Sequence, residues 1–150
     1  MLKESTPTLD AIIVSHAHAD HIGALPLAHI AYPNAPIYAT EPTQRLGAVM
    51  LNNAVRVMET EADGAMFTEE AVETTLARIQ TLEMRTWIDL WEGWRVLFIR
   101  SGHILGAVSI YLQTPEGTLF YSGDVSSFHQ ETIDGIDLEQ INALPAPEKS

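Results

Sequence analysis

Ser15-His16-Ala17-His18-Ala19-Asp20-His21 places three imidazoles and a carboxylate within residues 16–21 of a 150-residue chain. The stretch follows a mostly apolar run, 9–15, that is typical of a strand buried on both faces. In extended backbone His16 and His18 project to the same side, so both can reach one metal ion. Asp20 and His21 come where the chain turns into a helix, which directs them to a second position. The stretch therefore predicts a metal site at the carboxyl end of a strand, where α/β folds commonly place their chemistry.

The types of side chain in this stretch indicate which metal to expect. Neutral imidazole and carboxylate suit zinc, with iron or manganese as alternatives. The chain has no cysteine, so thiolate ligands, disulfides and a cysteine nucleophile are excluded. A cysteine-free chain also fits a reducing compartment, and we expect a cytoplasmic protein.

Two later segments add ligands of the same kinds. His103 lies between two predicted strands, with Gly102 and Gly106 close by. Asp124 follows Gly123 at the end of another strand. Together with the first stretch, these segments supply a third imidazole for one metal and a carboxylate able to bridge two.

The pattern of apolar residues predicts helices in the first part of the chain and mainly strands after Trp94. The predicted helices are 20–30, 41–58 and 69–82, and the predicted strands are 9–15, 37–39, 95–100, 107–112 and 118–122. Residues 114–117 form a hairpin turn between the last two strands. This order of elements predicts an α/β layered fold.

Composition limits the classes of function. The chain has 20 acidic and 8 basic residues, giving a net charge of -12, which opposes a broad electrostatic grip on nucleic acid. A polyanionic substrate must therefore be held by a metal ion or by parts outside this sequence. No apolar run approaches the roughly 18 residues of a membrane span, so no membrane association is expected. Because 46% of the residues are hydrophobic, we expect a packed core of single-domain size.

The quoted motifs match a known family. The run 16–26 resembles the signature of the metallo-β-lactamase superfamily, and the segments 102–107 and 121–124 resemble more narrowly its β-CASP branch. That branch includes the nuclease subunit of the cleavage and polyadenylation specificity factor and prokaryotic RNA-processing relatives. The resemblance covers residues 9–128. It implies part of a metallo-β-lactamase αββα sandwich, with a partial domain at 1–142 and a linker or truncated end at 143–150.

The resemblance also implies a two-zinc centre with hydroxide between the metals as nucleophile. In this scheme His16, His18 and His103 hold the first zinc. Asp20 and His21 hold the second, and Asp124 bridges both. Asp20 and Asp124 are the expected catalytic residues, since Asp20 lies beside the shared water and can orient it or accept its proton.

Two regions of full-length family members are absent from this sequence. These are a first β-hairpin region and the β-CASP domain, which supplies the RNA-binding cleft and a last histidine ligand. We therefore expect a fragment of a larger enzyme, with impaired activity as it stands. Single-stranded RNA is the expected substrate of the intact enzyme, and a homodimer is left open. The alternatives are a hydrolase of the same fold acting on thioesters, lactones or small phosphodiesters, and a non-catalytic remnant or interaction subunit.

Other aromatic and imidazole side chains have simpler interpretations. Trp87, Trp91 and Trp94 recur at helix-like spacing and are predicted to pack against the sheet rather than to stack on bases. His29 and His129 are predicted to have structural or surface roles.

Overall fold

A computed structural model describes residues 8–60 and 64–145 of the chain. The elements of this part, in chain order, are β1 (Ile12–Ile13), α1 (Ala19–Ile22), α2 (Leu25–Ala31), β2 (Ile37–Ala39), α3 (Glu41–Glu59), α4 (Glu69–Ala77), β3 (Ile79–Thr81), β4 (Trp87–Trp91), β5 (Trp94–Arg100), β6 (Val108–Thr114), β7 (Gly117–Tyr121) and α5 (Leu138–Asn142). Among the described residues, none of the helices combines the length and the apolar character needed to cross a membrane.

The first sheet is parallel, with strand order β1-β2-β3. Ile12 pairs with Ile37, and Ile37 pairs with Ile79, so the carboxyl ends of the strands lie at one edge. One face of this sheet is covered by helices through a core that includes Leu51 and Val72. Residues 15–21 follow β1 at that edge, and α3 begins directly after β2 there.

The second sheet is an antiparallel meander, with order β4-β5-β6-β7. Successive residues of β5 point to opposite faces of it. Phe98 packs with Tyr38 of β2 in the core between the two sheets. Ile99 lies in a separate core on the other face, where Ile141 of α5 packs. The layers are thus helix, sheet, sheet, helix, which confirms the predicted α/β class and the αββα arrangement.

Most of the predicted elements occur close to their expected positions. Helix α3 and strand β2 match the predictions at 41–58 and 37–39, and β5, β6 and β7 lie within two residues of the predicted strands. The predicted turn at 114–117 joins β6 to β7, with Thr114 paired to Gly117.

Three predictions about elements were wrong. The helix predicted at 20–30 is two helices, because Pro26 lacks an N–H and is placed in the first turn of a new helix, α2. The helix predicted at 69–82 ends at Ala77, since Ile79 pairs with β2 instead. The strand predicted at 9–15 is reduced to β1, which is only half-buried because β2 alone pairs with it in the described part of the chain.

Two further elements were not predicted. Trp87, Trp91 and Trp94 belong to a hairpin formed by β4 and β5 rather than to a helix. Helix α5 lies just before the predicted linker 143–150, and Leu144 within that segment packs on the core beneath α5. Residues 146–150 of the predicted linker, like residues 1–7, lie outside the described residues.

Candidate metal centre

The first group of candidate ligands lies at the carboxyl end of β1. His18 has extended backbone (φ -71°, ψ 151°) and is the N-cap of α1. His16 precedes it by two residues, and Asp20 and His21 lie within the single turn of α1. The change from extended to helical backbone therefore falls where the sequence predicted it.

The second group comes from the antiparallel sheet. His103 lies in the connection between β5 and β6, and Asp124 follows β7. The N–H of Val108 in β6 donates to Ser15 O at 2.9 Å, which joins the two sheets beside the candidate ligands. Gly123 has φ +56°, and a Cβ there would lie 3.3 Å from Ser15 Cβ. Glycine at this position lets the end of β7 approach Ser15 closely, and it brings Asp124 to the end of β1.

Four of the predicted ligands converge on one point. His16, His18, His103 and Asp124 each offer a ligand atom, and these atoms lie within 4.8 Å of one another. Within the cluster, His103 Nε2 lies 3.0 Å from His18 Nδ1. Ligands bound at about 2.0–2.1 Å in a tetrahedral arrangement are about 3.3 Å apart, so the cluster has the size of a single-ion site.

The two oxygens of Asp124 face different histidines. Oδ2 lies 3.3 Å from His103 Nε2 and 3.8 Å from His16 Nε2. Oδ1 lies 3.5 Å from His21 Nε2. His21 Nε2 is also 3.6 Å from Asp20 Oδ2, and the Asp20 side chain is exposed. The carboxylate of Asp124 thus stands between the histidines of the cluster and the pair formed by Asp20 and His21.

The protonation state of His16 suits a metal ligand. Its side chain is 1% exposed, and its pKa is lowered from 6.5 to about 4. Burial is the largest cause, the nearby His21 and His103 also lower the pKa, and Asp124 partly opposes them by raising it. Nδ1 lies 3.1 Å from Ser15 Oγ. In the tautomer that donates from Nδ1 to this hydroxyl, Nε2 keeps its lone pair.

The surroundings of His16 Nε2 test whether a metal ion fits this cluster. That atom is buried and has no hydrogen-bond partner within the described residues. A buried, uncharged nitrogen without a partner, whose ring is oriented by a hydrogen bond from the other nitrogen, is typical of a metal-binding histidine. The donor set therefore fits a divalent metal ion.

Two other histidines lie apart from the cluster. His29 is buried in α2. His129 is exposed, and its Nδ1 lies 2.7 Å from Asp134 Oδ1.

The sequence analysis did not predict that Ser15 would be a hydrogen-bond partner of His16. The position of Ser15, directly before the first histidine of the motif, was a signal for this role.

A comparison with models of protein families identifies the superfamily to which the chain belongs. The model of the metallo-beta-lactamase superfamily domain matches residues 1–148. The chain therefore belongs to the metallo-β-lactamase superfamily.

Individual relatives narrow this class. Cleavage and polyadenylation specificity factor subunit 3-II of Arabidopsis thaliana is 30% identical over 77% of this chain and 19% of its own length. A ribonuclease of Thermus thermophilus is 33% identical over 83% of this chain and 28% of its own. An RNase J-like protein of Methanocaldococcus jannaschii is 30% identical over 95% of this chain and 32% of its own length. The predicted resemblance to the β-CASP branch is confirmed, and the chain spans about a fifth to a third of the curated relatives it matches.

Proposed function

We propose that this chain carries the two-zinc centre of a ribonuclease that cleaves single-stranded RNA. The observation that carries the proposal is the position of Asp124, whose two oxygens face two different groups of ligands. A carboxylate placed in this way is suited to hold two ions at a fixed separation. The names of two relatives, a ribonuclease of Thermus thermophilus and an RNase J-like protein of Methanocaldococcus jannaschii, support RNA as the substrate class.

The residues divide between two metal positions in this proposal. His16, His18 and His103 hold the first ion, and Asp20 and His21 hold the second. Asp124 would be shared between the two positions. Zinc is the metal that this imidazole-rich donor set favours, because borderline-soft nitrogen ligands suit zinc better than magnesium or calcium.

The proposed chemistry is hydrolysis of a phosphodiester bond. Two bound zinc ions would lower the pKa of water and polarise a phosphoryl oxygen. Asp20 is exposed beside the second position, where it is placed to orient the attacking water and to accept its proton. Because the ions attract the phosphate, the acidic chain needs no basic patch at the reacting group, despite its net charge of -12.

The direct test is cleavage of an end-labelled single-stranded RNA by the zinc-loaded chain. Asp124→Asn keeps the size of the side chain and removes its charge, so we expect it to abolish cleavage. His129→Asn is the matched control, since His129 pairs with Asp134 and is not one of the proposed ligands, and cleavage should be retained.

The alternative hydrolase functions are tested with other substrates in the same experiment. A thioester, a lactone and bis(p-nitrophenyl) phosphate are offered to the same preparations. Turnover of these without cleavage of RNA would reject the ribonuclease assignment and favour another hydrolase of this fold. Failure of the chain to bind zinc would reject the metal centre itself and favour a non-catalytic role.

A further inference from the structure

The loop that carries His103 rests directly on the first turn of α3. The N–H of Ser101 donates to Ala107 O at 3.1 Å, which closes the loop 101–107 at its base. Gly106 has φ +81°, and a Cβ there would lie 2.8 Å from Pro42 Cβ. The first turn of α3 therefore leaves no room for a side chain at position 106, and the positive φ also favours glycine there.

Two buried hydroxyls meet the carbonyl of Gly106 at this contact. Thr40 Oγ1 lies 2.8 Å from Gly106 O, and Thr43 Oγ1 lies 3.1 Å from it. The two hydroxyl oxygens are 2.9 Å apart, and the threonines are 2% and 0% exposed. The two hydroxyl oxygens and Gly106 O thus make three oxygen–oxygen contacts. Each hydroxyl has a single proton, so two of these contacts can be hydrogen bonds at any one time. Every such arrangement leaves Gly106 O with at least one donor.

The hydroxyls connect His103 to the part of the fold that carries the other histidines. Thr40 is the N-cap of α3 and follows β2 directly. Strand β2 pairs with β1, and Val14 N–H, just before the histidine stretch, donates to Tyr38 O at 2.9 Å. The first turn of α3 and the stretch that carries His16 and His18 therefore extend from neighbouring strands of one sheet. His103 belongs to the other sheet, so this contact helps to fix the distance between the two groups.

We propose that Thr40 and Thr43 are positioning residues of the metal centre. Their hydroxyls hold the Gly106 carbonyl and thereby fix His103 against His16 and His18. This inference rests on the proposed metal centre and adds to it two residues that are 60 or more positions away from His103. Neither threonine touches the metal; they act through the loop.

The test compares zinc affinities, measured by competition with a chromophoric chelator, for three substitutions of Thr43. Thr43→Val replaces the hydroxyl with a methyl group of similar size, and Thr43→Ala removes the hydroxyl without adding a methyl group. We expect both to weaken zinc binding about tenfold, because Gly106 O keeps the donor from Thr40 but loses its contact with the Thr43 hydroxyl. Thr43→Ser keeps the hydroxyl and should bind zinc within about threefold of the wild type. The visible absorption spectrum of the cobalt(II) form should change in Thr43→Val and be restored in Thr43→Ser.

Thr75→Val is the matched control. Thr75 is 0% exposed, and its hydroxyl donates to Ala71 O at 2.7 Å within α4. This variant should lose stability but keep the zinc affinity and the cobalt spectrum of the wild type. Wild-type affinity in a folded Thr43→Val or Thr43→Ala would overturn the positioning role while leaving the metal centre intact. A wild-type chain that binds no zinc would overturn the metal centre, and the positioning role with it.

Discussion

His16 shows how a single residue is adapted to bind a metal ion. Its imidazole is buried at the end of β1, among the histidines of the cluster and beside Asp124. Burial opposes a charge there, and the nearby imidazoles oppose it further, so the pKa falls to about 4. The ring therefore stays neutral near pH 7, with the lone pair of Nε2 available. In the absence of metal, the same property makes stability depend on pH.

The metal-free chain should lose stability as the pH falls from about 6.5 to about 4. In that window the unfolded state takes up a proton at His16 and the folded state does not, so protonation favours unfolding. A shift from 6.5 to about 4 corresponds to about 3 kcal/mol lost across the window. Urea unfolding in the presence of a chelator, at several pH values, measures this loss. His16→Gln should show a shallower decline, and equal slopes in the two proteins would contradict the account.

The elements predicted correctly are those whose signals are local. Helix α3 has an N-capping threonine, Thr40, and an apolar face, and the β6–β7 hairpin has its own turn sequence. Strand β3 has only three residues and is defined by its pairing with β2, about 40 positions earlier in the chain, so no local pattern indicates it. The tryptophans recur at a helix-like spacing of four and three residues, but the turn at Gly93 (φ +75°) places them in the β4–β5 hairpin, so they belong to the sheet against which they were predicted to pack.

The same distinction applies to the candidate site. The histidines and aspartates could be predicted because their spacing and residue types are visible in three short motifs. The role of Thr40 and Thr43 could not be predicted, since no pattern in the sequence around them indicates a contact with the loop of His103. Their relation to His103 follows from the approach of the two sheets.

Gly123→Ala should disturb the end of β7 and weaken zinc binding. Its φ of +56° disfavours a side chain by about 1–2 kcal/mol, and a Cβ would lie 3.2 Å from Val108 O and 3.3 Å from Ser15 Cβ. Gly64→Ala is the control, because Gly64 has φ +73° and, among the residues that the structure describes, none would lie within 4 Å of an added Cβ. Both variants should lose stability in thermal unfolding, but only Gly123→Ala should lose zinc affinity. Equal zinc affinities would show that the position of Asp124 does not depend on this glycine.

At the scale of the whole molecule, the candidate metal centre lies at the junction of the two sheets. The parallel sheet supplies His16, His18 and the α1 turn, and the antiparallel sheet supplies His103 and Asp124. The core between the sheets, with Phe98 at 1% exposed, therefore keeps the two halves of the site together. In the described part of the chain β7 has one strand neighbour, β6, and Leu119 on it is 60% exposed. The homodimer that the sequence leaves open is not tested by this arrangement.

Phe98→Ala should remove about 3–5 kcal/mol of stability, because it leaves a cavity between the sheets. Leu119→Ala, on the exposed face of β7, should change stability by no more than about 0.5 kcal/mol. Urea unfolding of the two variants measures the difference. A loss at Leu119 as large as that at Phe98 would mean that the sheets are not held together by this core.

The measurement that tests the central claim most directly is the zinc content of the purified chain and of Asp124→Ala, determined on the monomer fraction after saturation and gel filtration. The account predicts one tightly bound zinc ion per wild-type chain, at His16, His18, His103 and Asp124, and a second, more weakly bound ion at Asp20 and His21, because that position has fewer protein ligands. It predicts weaker binding at both positions in Asp124→Ala, since each loses one oxygen ligand. A wild-type chain without zinc, or zinc binding that is the same in both proteins, would contradict a centre built around Asp124.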